Sequence, residues 1–263
     1  MQRWMKSALS VLVMPITAAA EISFENIDQA ASELQPQVVE WRRWFHQNPE
    51  LSNREFNTSA RIAEILEEMG LEPRTGIAHT GVMAIIEGGK PGPLVAIRAD
   101  MDGLPVTEQT GLPFASTVMT EFNGQQTGVM HACGHDAHMA MALGATKLLN
   151  DMKDELAGSV MVIFQPAEEG APVGELGGAK LMLEEGLFDQ GVPEAVFGIH
   201  VGLGAPPRRV DHQARADDGL GGPLVHESHR SSNARGEALG RCGSDCCVFP
   251  DHHGVPDHRQ SPG

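Results

Sequence analysis

Nine residues, Met130-His131-Ala132-Cys133-Gly134-His135-Asp136-Ala137-His138, carry one thiol, three imidazoles and one carboxylate. These are the ligand types that a borderline-soft divalent cation selects. Met139, Ala142, Leu143, Thr146 and Leu149 then recur at three to four residues, so the nine lie in a loop running into a helix. A helix start carries a positive partial charge, which disfavours a bound cation. A metal here therefore requires anionic ligands from elsewhere, and the fold must bring distant carboxylates to this one loop. Gly134 between thiol and imidazole would let backbone and metal approach closely. The spacing alone leaves open a plainer reading, a buried cysteine with helix-end histidines.

Other features narrow the function classes. Residues 1–20 read as a secretory signal: basic Arg3 and Lys6, an apolar run from Ala8 to Thr17, then Ala18-Ala19-Ala20 before Glu21. Export places the mature protein in the periplasm or outside the cell, with no membrane association after cleavage. A net charge of −16 argues against nucleic acid or an anionic membrane surface as partner. Cys133 is the single cysteine before residue 204, which favours a ligand or reactive role over a disulfide. A thiol redox protein is disfavoured because no C-x-x-C pair includes it.

Ile27, Leu34, Val38, Trp41 and Phe45 give residues 26–47 a helical stripe, with Pro36 expected to kink or break it. Asn57 is expected to cap a second helix that ends at Gly70. Thr80–Ile86 and Leu94–Arg98 read as two strands of an edge hairpin around a Gly-rich link. Asp100 and Asp102, two apart at a strand end, share one side and could bind a metal or orient a ligand histidine.

Ser159–Phe164 is a continuous apolar strand followed by Gln165-Pro166-Ala167-Glu168-Glu169-Gly170, and Ala195–Ile199 is a strand delivering His200. Adjacent carboxylates diverge, so one can hold a metal while its neighbour moves protons. Cys133, His135, Glu169 and His200 thus form a candidate ligand set, with Glu168 as general base. Strand–helix alternation after residue 130 indicates an α/β sandwich whose ends converge on one rim.

In order along the chain stand Trp44-Phe45-His46-Gln47-Asn48-Pro49-Glu50-Leu51-Ser52 with Glu55, Arg98-Ala99-Asp100-Met101-Asp102-Gly103-Leu104-Pro105, the Met130–His138 stretch, Phe164–Gly170 and Phe197-Gly198-Ile199-His200. Together they resemble the M20 metallopeptidases, in particular the amidohydrolases that cleave N-acyl amino acids, over roughly residues 35 to 203. The resemblance implies a three-layer α/β/α catalytic domain with a mixed sheet. It also implies two divalent ions (zinc, manganese or cobalt), a small-molecule N-acyl amino acid substrate and a homodimer. It casts Cys133, His135, Glu169 and His200 as ligands, Glu168 as base and Asp102 as a supporting residue. Asp100 stands where other M20 branches have histidine. His138 is expected to pack or hydrogen-bond within its helix.

The resemblance breaks at about Gly204. From 205 to 263 there is no lysine, methionine or isoleucine, half of the chain's histidines fall there, and no periodicity persists. The domain reading is a signal at 1–20, the first part of the catalytic domain at 21–204, and a disordered or out-of-frame tail at 205–263. The family's lid domain and last ligand histidine are then absent, and the chain is expected to be a weak hydrolase or a non-catalytic metal- or ligand-binding remnant. Cys242, Cys246, Cys247, His252, His253 and His258 do not match a zinc-knuckle spacing.

Overall fold

The computed structural model describes residues 23–202 together with the short segments 212–214 and 225–227. The signal reading and most of the tail reading lie outside the described residues. Helix α1 (Phe24–Gln47) runs through Pro36 without interruption. Ser32, whose carbonyl loses its N–H donor to the proline, is exposed, so water can replace that bond. Helix α2 (Phe56–Glu68) is not capped by Asn57, which lies inside its first turn. The Glu50 carboxylate instead accepts the N–H groups of Asn57 at 3.1 Å and Thr58 at 2.8 Å. An acid from outside the helix thus satisfies the orphan donors and favours the positive helix end.

The main sheet contains β1 (Arg74–Ile77), β2 (Gly81–Glu87), β3 (Lys90–Asp100), β6 (Ala157–Gln165) and β7 (Ala195–Gly198), in the order β1-β2-β6-β3-β7. The expected β2–β3 hairpin does not form. Strand β6 lies between them, antiparallel to β2 and parallel to β3. The physical reason is that β6 is apolar on both faces, and an edge position would leave it half covered. Gly88, in the β2–β3 link, crosses directly against the start of β6. A Cβ there would stand 2.0 Å from the Gly158 carbonyl oxygen.

Alternation along the strands builds two cores. Val82, Ala84, Val160, Val162 and Phe164 pack under α1, α2 and α3 (His135–Asp151) with Phe45, Ile62 and Leu143. Met83, Ala96, Met161 and Ile163 face the other way, against Met182 of α4 (Gly178–Glu184) and Leu187. The result is a mixed-sheet α/β/α sandwich. A separate hairpin, β4 (Met119–Phe122) with β5 (Gln125–Gly128), precedes the Met130–His138 stretch. In the second unit of the chain, His212–Ala214 pairs antiparallel with Val225–Glu227. Among the described residues, no helix is long and apolar enough to cross a membrane.

Parallel pairing aligns the strand ends that matter. Register sets Asp100 beside Gln165, and Arg98 beside Gly198. The residues that follow β3, β6 and β7 therefore emerge at one rim, where α3 also begins.

Candidate metal centre

His135, the first residue of α3, is the hub. Its Nδ1–H donates to the Asp102 carbonyl at 2.8 Å, which leaves Nε2 as the ring's remaining site. That Nε2 is buried and makes no hydrogen bond among the described residues. It lies 3.6 Å from Asp100 Oδ1, 3.7 Å from Glu168 Oε2 and 3.7 Å from Glu169 Oε1. Burial would lower the ring's pKa, but Asp102, Asp100 and Glu169 outweigh it and raise it. The negative field responsible for that is the field a cation would occupy.

Cys133 Sγ stands 3.5 Å from His200 Nε2, while His200 Nδ1 faces the Val201 carbonyl at 2.8 Å. Ligand atoms of Cys133, His135 and His200 all lie within 4.8 Å of one another, as do those of His135, Glu168 and Glu169. The structure thus gathers all five residues around one ring. Gly134 has φ +92°, and a Cβ there would meet Val201 Cγ2 at 2.3 Å. The chain after β7 therefore approaches this glycine closely, a contact the sequence did not indicate.

His138 forms a third group with Asp100 and His135. Its hydrogen bonds leave the helix, contrary to expectation. Nε2 accepts the Val201 N–H at 2.8 Å, so Nδ1 carries the proton and donates to Asp100 Oδ1 at 2.5 Å. With both nitrogens engaged, His138 ties the start of α3 to the segment carrying His200. His131 is buried, and neither ring nitrogen has a partner among the described residues. Burial pushes it down to about 4, so it is neutral at ordinary pH. His135 is the loop imidazole whose unbonded nitrogen lies within 3.7 Å of three carboxylates.

The aspartates form a floor. Asp100 receives Arg98 Nη1 at 2.9 Å besides His138. Burial would raise its carboxyl, but the His138 bond, His135 and Arg98 hold it down at about 2. Asp102 Oδ2 accepts the Ser52 hydroxyl at 2.7 Å and the Glu169 N–H at 3.0 Å. Burial likewise opposes, and the His135 and Ser52 bonds prevail, so its pKa is lowered.

Ala167 takes the left-handed conformation, φ +48°, which is costly for a residue with a Cβ. Its N–H is held at 2.9 Å by Glu55, a fully buried acid that also accepts the Thr80 hydroxyl at 2.7 Å. This turn aims Glu168 and Glu169 at His135. Glu168 is partly exposed; burial, then the Asp100 charge, raise its pKa. The bracing roles of Ser52 and Glu55 were not read from sequence. The only signal for them was their place in the first motif, and a buried acid has no local pattern of its own.

The family model described as Peptidase family M20/M25/M40 matches residues 96–217, which extends past the apparent break at 204. Over 183 residues the chain is 46% identical to thermostable carboxypeptidase 1 of Saccharolobus solfataricus, covering 69% of this chain and 43% of that protein. It is 45% identical to N-acetyl-L-cysteine deacetylase of Bacillus subtilis, covering 64% and 37%. Among solved structures, the Bacillus subtilis YxeP protein, titled a dinuclear metal-binding peptidase from the M20 family, superposes with a TM-score of 0.57 at 42% identity. That match covers 66% of this chain and 45% of the other. The chain spans about two-fifths of the length of these relatives.

Proposed function

We infer that this chain, which belongs to peptidase family M20, carries the catalytic-domain portion of a metal-dependent hydrolase that cleaves the amide bond of N-acyl amino acids. The observation that carries the reading is the buried, unbonded Nε2 of His135 facing three carboxylates. A lone pair so placed costs free energy unless a cation or proton meets it.

Cys133, His135, Glu169 and His200 would hold two divalent ions of the zinc, manganese or cobalt kind, whose mixed sulfur, nitrogen and oxygen preferences the donor set fits. Such ions supply electrophilic polarisation of the amide carbonyl and ease ionisation of water. Glu168 is the general base: its raised pKa keeps it basic enough to take a proton from the attacking water and acidic enough to return it to the leaving nitrogen. Asp102 fixes the tautomer of His135 through its carbonyl and the backbone of Glu169 through its carboxylate. Asp100 holds His138, which in turn holds Val201 beside His200.

The test is metal content together with hydrolysis of benzoyl-glycine by the purified full chain. Glu168→Gln is expected to abolish hydrolysis and retain the metal. Turnover unchanged in that variant defeats the assigned base. Bound metal with no turnover by the wild type favours ligand binding without catalysis. Export is a further part of the proposal, checked by sequencing the mature N-terminus, which should begin at Glu21.

A further inference from the structure

Beside the candidate centre lies a cavity of about 760 Å³ that shares the Glu169 wall. It runs between the loop after α1, the loop after β3 and the β4–β5 hairpin. Its lining is largely apolar, including Leu51, Leu104, Val118, Met119, Phe122 and Val129. Met119 is 58% exposed and Phe122 38%, although both lie on the cavity wall. Large apolar side chains left in water beside a reactive centre indicate an occupant that covers them.

The charges decide which part of a substrate fits. Among the described residues the one cationic side chain in the lining is Arg54, and it is committed: Nη2 meets Glu175 Oε1 at 2.5 Å and Nη1 meets Oε2 at 2.9 Å. Glu50 is occupied in capping α2. Of the two remaining charged lining residues, Glu169 is assigned above to the metal, which leaves the acid Glu121. A substrate carboxylate placed here would find no uncommitted cationic side chain among the described residues and would meet the like charge of Glu121. An uncharged apolar group would meet matching surface.

We propose that this cavity receives the acyl group of the N-acyl amino acid and selects chains longer than acetyl, the substrate carboxylate being bound elsewhere. The proposal rests on the amidohydrolase reading above. Ligand pockets of about 300–1,000 Å³ take whole drug-sized molecules, so the volume leaves ample room for a medium-length or aromatic acyl group.

The experiment measures binding of acetyl-, butanoyl- and hexanoyl-glycine to the full chain by calorimetry, with and without zinc. Affinity is expected to rise by about fourfold per added methylene. Phe122→Ser and Met119→Ser should flatten that rise, and Phe24→Ser, at an exposed position outside the cavity, should leave it intact. A flat series, no saturation by hexanoyl-glycine in the millimolar range, or a rise untouched by the cavity substitutions overturns the proposal. The two readings fail separately. If the chain binds no zinc but shows the acyl-length rise in its absence, the metal reading is lost and the cavity stands. If zinc binds and the series is flat, the cavity proposal alone is lost.

Discussion

The two halves of the candidate centre are built differently. The floor consists of Asp100, Asp102, His135 and His138, with side chains at most 1% exposed. Ser52, Arg98 and the backbone around Asp102 and Val201 secure them. The rim consists of Cys133, Glu168, Glu169 and His200, which are partly or wholly exposed. Among the described residues, a 4.0 Å contact with Arg98 and a 3.7 Å contact with His135 are what hold the Glu168 carboxylate. The floor is thus fixed by the chain's own hydrogen bonds, whereas the rim carboxylates lie at longer distances, 3.7 Å from the His135 ring. Preorganisation lies underneath, and the chemistry proposed above would fall to the more adaptable side.

His135 belongs to both halves, so its loss should erase the distinction. Every candidate ligand group contains it. His135→Ala is expected to lower zinc affinity by more than about a hundredfold, beyond the range typical of residues that only support a ligand. Competition against a fluorescent zinc chelator reads this directly. Retained affinity would mean that the rim binds metal without the floor. The next effect in size separates the halves. Asp102→Asn leaves every rim side chain in place but weakens the acceptor for Ser52 and for the Glu169 N–H. Zinc affinity should fall by about 10- to 100-fold. An unchanged value would show that the floor is dispensable for the rim.

This contrast also separates what the sequence made legible from what it did not. Strand β6 could be read because seven consecutive residues, Ser159–Gln165, contain five large apolar side chains, a run that few other structures accommodate. The convergence of Cys133, Glu169 and His200 could be anticipated because each follows a strand or precedes a helix. The order of the sheet could not, since β2 and β3 are neighbours in sequence and only the burial demanded by β6 separates them. The partners of His138 were equally hidden. Its helical position suggested local bonds, while its actual partners lie 38 and 63 residues away. Such long-range hydrogen bonds leave no periodicity to read. The rim was therefore more legible than the floor that fixes it.

A smaller effect tests whether the floor holds without metal. The Asp100 carboxyl sits at about 2 in the folded protein, below its usual value of about 3.9. A depressed acid contributes stability that is fully present above the unfolded pKa and is lost as pH falls through the folded one. The shift corresponds to about 2–3 kcal/mol, and its 1% exposure leaves little solvent screening. Asp100→Asn keeps an oxygen for the His138 proton but removes the charge. Metal-stripped protein unfolded in urea should show the variant less stable by about 2 kcal/mol at pH 7. That gap should shrink to about half by pH 3, because the wild-type carboxylate begins to protonate in the unfolded chain first. Glu168→Gln, on the rim, should stay within about 0.5 kcal/mol of the wild type at every pH. A gap for Asp100→Asn that does not change with pH would show that the His138 hydrogen bond, rather than the buried charge, stabilises the floor.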